Sequence, residues 1–237
     1  MTLPLVSVVT PTRNRTHFLE RCAFYLQRQT YPRLLLEWVI VDSSEEPSAG
    51  TMKIADRVKQ HVSSVQVCRV LGSLGHLHNV GNRSSRGSVI VHFDDDDWHS
   101  PTRIEKQVTA LMRPGIKLVC TDDYFTWFGA GRACKSWSWG MDLFSSGGTF
   151  AYWRSAWERN AFPALQHGED QVFAKMIRIA GGARNLRDPT LFAYIRHGAN
   201  TCEFLKDFED RANHDDHASL ARLMGEDRVF YEPEVQP

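Results

Sequence analysis

Apolar and polar positions alternate between two periods along the first hundred residues. Leu5-Val6-Ser7-Val8-Val9-Thr10 reads as a buried strand, with Pro11-Thr12-Arg13-Asn14 as its exit loop. Phe18, Cys22, Tyr25 and Leu26 then recur at helical spacing between about Thr16 and Arg28, and Pro32 lies past the helix end. Glu37-Trp38-Val39-Ile40-Val41 is a second strand that closes on Asp42-Ser43-Ser44. Strand, helix, strand is a βαβ unit. The pattern repeats with a helix over roughly Thr51 to His61, a strand at Val65 to Val70, a helix at about His76 to Ser85, and a strand from Val89 to Phe93.

The second half is less regular. Pro101 to Leu111 predicts a helix with Ile104, Val108 and Leu111 on its apolar side, and Ile116 to Cys120 a strand. Tyr124, Phe125, Trp127, Phe128, Trp137, Trp139 and Phe144 follow, interleaved with glycines and cations. They suit either the core of an antiparallel sheet or a rim on which a sugar ring stacks. Thr149 to Trp153 is a further strand, Arg154 to Asn160 and Gln171 to Ala180 are helices, and Leu191 to Ile195 is a last strand. From Glu203 the chain turns polar, with a helix to about Met224 and a tail to Pro237. The expected fold class is α/β: a mixed, mostly parallel central sheet flanked by helices, with a small C-terminal helical extension. The expected division is a main domain over 1–202 and a helix and tail over 203–237.

Composition narrows the function classes. Lys plus Arg and Asp plus Glu both count 28 in 237 residues, so no global field recruits nucleic acid or an anionic membrane. Five cysteines without a CxxC pair argue for reduced thiols, a cytoplasmic setting and no structural zinc. Neither a leader pattern in Met1 to Thr10 nor a transmembrane segment is expected.

One stretch changes the picture. The strand ending at Phe93 runs into Asp94, Asp95, Asp96 and Asp97, then Trp98 and Pro101. Four adjacent carboxylates repel one another unless a positive charge sits among them, and a divalent metal is the natural candidate. Strand ends of an open α/β sheet are where ligands bind. Three such ends carry polar loops here: Thr10 to Asn14, Asp42 to Ser44, and Asp94 to Asp97. A second acid pair, Glu169-Asp170, opens a helix, where capping competes with chemistry as its role.

Taken in order, these segments resemble the family-2 glycosyltransferases of the GT-A fold from Val6 to about Thr201. The resemblance is carried by Val-Ser-Val-Val-Thr-Pro-Thr-Arg-Asn-Arg, Gln29-Thr30-Tyr31-Pro32, Glu-Trp-Val-Ile-Val-Asp, Gly75-His-Leu-His-Asn79, Phe-Asp-Asp-Asp-Asp-Trp-His-Ser-Pro, Gly147-Gly148, Gly168-Glu-Asp170 and Arg-His-Gly-Ala-Asn-Thr. It implies an inverting hexosyl- or N-acetylhexosaminyl-transferase using a nucleoside-diphosphate sugar, with Mn²⁺ or Mg²⁺. Saccharide, lipid-linked and protein acceptors fit it, at the cytoplasm or the inner face of the membrane.

By position, the resemblance implies that Thr10, Pro11, Arg13, Asp42, Gly75, Asn79, Asp94 and Asp95 hold the donor. Asp94, Asp96 and His197 would be the metal set, counting the DxD frame back from Pro101; Asp95 and Asp97 form the other frame. Asp170 is the implied catalytic base, with Glu169 as its neighbour. His78 departs from the arginine common before the equivalent of Asn79. A nucleotidyltransferase, or a carbohydrate- or nucleotide-binding module without catalysis, is the competing class. The first lacks its usual glycine-rich loop in Thr10 to Arg15, and the second gives Asp170 no role.

Overall fold

The computed structural model of the chain describes residues 2–46, 48–136, 146–198, 200 and 209–232. The described strands are β1 (Val6–Thr12), β2 (Leu36–Asp42), β3 (Ser64–Arg69), β4 (Val89–His92), β5 (Trp98–His99), β6 (Leu118–Cys120), β7 (Tyr124–Gly129), β8 (Arg132–Ser136), β9 (Ala151–Trp153), β10 (Ala183–Asn185) and β11 (Phe192–Ile195). The helices are α1 (Thr16–Gln27), α2 (Ala49–Val58), α3 (Leu74–Ser84), α4 (Arg103–Leu111), α5 (Arg154–Arg159), α6 (Glu169–Ile179) and α7 (His214–Met224).

The main sheet has the order β10-β6-β9-β4-β1-β2-β3 and is parallel except for β9, which runs against β4 and β6. The chain leaves β1 toward β2 and β3 on one side and returns to β4 on the other. The β1/β4 boundary is therefore the topological switch point, where strand-end loops diverge and leave a crevice. β1 runs two residues further than its sequence pattern predicted, because Pro11 and Thr12 stay in register with Val41 and Asp42. Proline is tolerated there because the β1/β4 ladder has already ended at Val9 and His92.

Val6, Val8, Trp38, Ile40, Val89 and Val91 meet α1, α2 and α4 on one face of the sheet. Val9, Val39, Val41 and Ile90 meet the layer carrying Leu77, Trp157 and Phe173 on the other. Both faces of the parallel strands are covered, which is why those strands read as continuous apolar runs rather than alternations. Glu37 is the exception at 0% exposure. It accepts hydrogen bonds from Ser7, from the Arg86 side chain at 2.9 Å and from the Gly87 amide at 3.1 Å, tying the β4 entry turn to β1 and β2.

A second sheet, β5-β11-β7-β8, stands beside the first. Within the aromatic stretch, Phe125 and Trp127 are buried with Tyr25, Trp98 and Leu220, as core packing requires, while Tyr124 is half-buried. Trp137, Trp139 and Phe144 lie outside the described residues. α7 starts at Asn213, whose side chain accepts from the Asp216 amide at 2.7 Å, and packs Leu220 and Met224 into the same cluster. Beyond it, Asp227 accepts from Arg28 and from Trp98 Nε1, while Tyr231 meets Tyr25 at 2.7 Å. The C-terminal helix is thus packed into the second sheet and α1. Cys22, Cys68, Cys120 and Cys134 are free thiols, and Cys202 lies outside the described residues. Among the described residues no helix is long and apolar enough to cross a membrane.

Candidate active site at the sheet switch point

A cavity of about 680 Å³ opens where the β1 and β4 loops diverge, lined by Pro11, Thr12, Arg13, Arg15, Asp94, Asp95, Asp96, Glu169 and Asp170 among others. The aspartate run lies directly after β4, and its members take different roles. Asp95 Oδ2 accepts from Thr12 Oγ1 at 2.6 Å, and its Oδ1 from Arg15 at 3.3 Å. Asp96 Oδ2 accepts from Arg15 at 2.8 Å and lies 3.0 Å from His197 Nε2. Asp94 turns toward the Gly147-Gly148 turn. Asp97 points away from the cavity, its Oδ1 accepting from the Ile195 amide at 2.9 Å. Burial, then repulsion from Asp96, raises both Asp94 and Asp95 above the ordinary carboxylate range. Among the described residues no group of three or more His, Cys, Asp or Glu side chains is placed to hold a metal ion.

The second acid pair faces the first across one short turn. Gly168, in the left-handed region at φ 79°, lets the chain reverse into α6. Asp170 Oδ2 then accepts from the Gly147 amide at 2.9 Å and its Oδ1 from the Gln171 amide at 2.7 Å. Burial raises the Asp170 pKa, and these two amides partly offset it. Glu169 is the more enclosed at 3% exposure, with His78 Nε2 at 4.0 Å from Oε1. Burial and the charge of Asp170 push it up to about 8. His78, the departure noted in sequence, is a neutral wall residue, since burial lowers its pKa to about 3.

Arg103 underlies this arrangement. It is wholly buried, donates to the His92 and Gly148 carbonyls and to Gln107, and meets His99 Nδ1 at 2.6 Å. Its guanidinium also packs over Phe93 and Phe192, at 4.8 and 5.4 Å from the ring centroids. One side chain thereby fixes the end of β4 against the Gly147-Gly148 turn and the second sheet. Burial lowers its pKa to about 10, which leaves it charged at neutral pH.

Four residues expected at the donor do not line the cavity. Thr10 is buried and accepts from Trp38 Nε1 at 2.9 Å. Asp42 accepts from the Ser44 amide at 2.9 Å, leaving Ser43 at the wall. Asn79 uses its amide on Phe162 and Trp157, one helical position round from His78. Gly75 packs against Pro163, where its bare Cα gives the 163–165 segment room. Thr12, Arg15, Arg103, Tyr124, Tyr194 and Asn200 are site residues that the sequence reading does not single out. Arg15 carried a sequence signal, a cation in the first strand-end loop; Arg103 carried none.

With this geometry in view, the comparisons are specific. The Glycosyl transferase family 2 model matches residues 7–128. Among curated proteins, "Glycosyltransferase AglE" of Haloferax volcanii is 26% identical over 136 residues, 56% of this chain and 44% of that protein. "Uncharacterized glycosyltransferase EpsJ" of Bacillus subtilis is 29% identical over 105 residues, 44% of this chain and 29% of that protein. The alignments therefore span less than half the length of these relatives. Among solved structures, the mannosyltransferase PcManGT of Pyrobaculum calidifontis, in complex with GDP-Man and Mn²⁺, superposes with a TM-score of 0.62 at 21% identity, covering 83% of this chain and 57% of that one. S. aureus TarS 1-349 with UDP-GlcNAc gives 0.65 at 16% identity, covering 95% and 73%. A family match across half the chain and the superposition on these structures establish that the chain belongs to glycosyl transferase family 2 and has the GT-A fold.

Proposed function

We propose that the protein is an inverting glycosyltransferase that moves a sugar from a nucleoside diphosphate to an acceptor hydroxyl. The observation carrying this is that two acid groups, Asp94 to Asp96 and Glu169-Asp170, flank the single Gly147-Gly148 turn in one cavity. One group suits the charge of a diphosphate and its cation, the other the proton of an incoming hydroxyl. The relatives with bound GDP-Man or UDP-GlcNAc support a nucleotide-sugar donor. Residues of 1–98 would hold the nucleotide, and much of the acceptor side falls in 99–202.

Asp96 Oδ2 and His197 Nε2, 3.0 Å apart, would be two protein ligands of a hard divalent ion in a site whose other positions are left to phosphate and water, with Asp94 in the same cavity wall. Bound there, Mn²⁺ or Mg²⁺ would supply positive charge for the departing diphosphate. Arg15 brings a further cation to the same oxygens. Asp170 accepts the acceptor's proton as that oxygen bonds the anomeric carbon and the carbon–oxygen bond to the diphosphate breaks, inverting the configuration. Its two amide contacts fix the carboxylate, and its raised pKa strengthens it as a base. Glu169, enclosed beside it, is the less accessible acid.

A second reading leaves the charge to Arg15 alone, favoured by its 2.8 Å contact with Asp96. Incubating the protein with UDP-, GDP- and dTDP-sugars, with Mn²⁺ or with EDTA, separates the readings. Nucleoside diphosphate released only with the metal supports the first, and release undiminished by EDTA supports the second. Pyrophosphate release would overturn glycosyl transfer itself.

A further inference from the structure

Two side chains from distant parts of the chain converge on one oxygen. Arg15, just before α1, donates to Asp96 Oδ2 at 2.8 Å, and His197, two residues past β11, brings Nε2 to within 3.0 Å of the same atom. A contact with Asp96 fixes the tip of each side chain but not the rest of it, which packing must order. The ring of Phe18 packs on both. It is 7% exposed, lies 4.5 Å from the His197 ring at an interplanar angle of 37°, and has the Arg15 guanidinium over it at 5.9 Å from the centroid.

The placement of Phe18 follows from the chain. The Phe18 and Leu19 amides both donate to the Arg15 carbonyl, at 2.9 and 3.0 Å, which starts the helix and sets residues 15, 18 and 21 beside one another at three-residue spacing. Arg21 lies over the Phe18 ring at 5.0 Å and over the Tyr231 ring at 5.3 Å. Two guanidinium groups therefore pack on the one ring, and the second joins it to the C-terminal segment. We propose that Phe18 is a positioning residue for the donor side of the cavity. Its ring holds Arg15 and His197 in the orientation in which both meet Asp96, and so sets how tightly a nucleoside diphosphate and its cation bind. Phe18 acts through these two residues, since it is not among those lining the cavity, and the proposal rests on the reading of Asp96 as a donor residue.

The test is isothermal titration of UDP and GDP, in buffer containing Mn²⁺, into the full chain and its variants. Phe18→Leu keeps an apolar side chain in place and removes the ring. It should weaken the better-bound nucleotide by at least about fivefold. A role in core packing alone would lower the melting temperature and leave that affinity unchanged, which overturns the proposal. In an Arg15→Met or a His197→Ala background the same substitution should cost less than half that factor, because one partner of the ring is already gone. An equal loss in all three backgrounds overturns it too. Should Phe18→Leu fail to fold, Arg21→Met decides, since Arg21 is half-buried: affinity weakened about two- to threefold at the wild-type melting temperature supports the proposal, and unchanged affinity overturns it. Wild-type protein that binds neither nucleotide overturns the proposal and the donor reading together. Affinity weakened by Phe18→Leu in a protein that transfers no sugar upholds the positioning role and removes glycosyl transfer, whereas transfer by the wild type with undiminished affinity in Phe18→Leu does the reverse.

Discussion

Gly148→Ala tests whether the two acid groups are set by the turn between them. Gly148 is not in a left-handed conformation, so its need is for room. A Cβ there would lie 2.9 Å from Asp94 Cγ and nearer still to Oδ2, with Asp97 Oδ2 at 3.4 Å behind. An ordinary carbon–carbon contact is about 3.5–4.0 Å, so Asp94 must retreat by about 0.6 Å or more. Retreat toward Asp97 is closed, and Arg103 holds the Gly148 carbonyl in place. Overpacking of this kind costs about 1–3 kcal/mol, and at about 2–4 °C per kcal/mol the melting temperature should fall by roughly 2–12 °C. The larger effect is on the reaction, because a misplacement of about 1 Å at a reacting group costs on the order of 10²-fold. Thermal melts with and without Mn²⁺ and nucleoside diphosphate, alongside turnover, read both effects. A variant with turnover within twofold of wild type and an unchanged ligand-induced shift would refute this account of the turn.

Two further substitutions test the frame. Arg103→Met removes the buried cation shared by β4, Gly148 and the second sheet, and takes away the donor to the His92 and Gly148 carbonyls. It should cost about 3–5 kcal/mol in urea denaturation, and a loss under 1 kcal/mol would show that Arg103 does not tie these elements together. Glu37→Gln should cost about 1–3 kcal/mol at pH 7. Burial alone would raise the Glu37 pKa, but hydrogen bonds from Ser7, Arg86 and Gly87 outweigh it and lower it. A depressed carboxylate stabilises fully above its unfolded value of about 4.3 and loses that contribution as pH falls through the folded value. The gap between wild type and variant should therefore close below about pH 4, and a gap unchanged from pH 7 to pH 3.5 would contradict the hydrogen-bonded anion.

Much of the fold was legible because both faces of the parallel strands are buried, which writes continuous apolar runs into the sequence. The aspartate run stood out for the related reason that charge rarely follows such a strand without a partner. The structure departs from the sequence pattern where tertiary contacts decide. Proline at position 11 reads as the end of β1, but the neighbouring ladder had already ended, so Thr12 reaches Asp95 and Thr10 stays in the core. One helical position separates Asn79 from His78, and only packing against Phe162 and Trp157 decides which faces the cavity. Arg103 looks like any helical surface cation, because its partners, the carbonyls of His92 and Gly148, lie far along the chain. Local periodicity cannot encode such a contact.

The separation of the two acid groups into donor and acceptor roles is tested most directly by Asp170→Asn, titrated with Mn²⁺ and nucleoside diphosphate and assayed for transfer on the same preparation. Affinity should stay within about threefold of wild type while turnover falls by about 10²–10⁴-fold, the contribution of a general base. Turnover above a tenth of wild type, or loss of nucleotide binding together with transfer, would contradict Asp170 as the base.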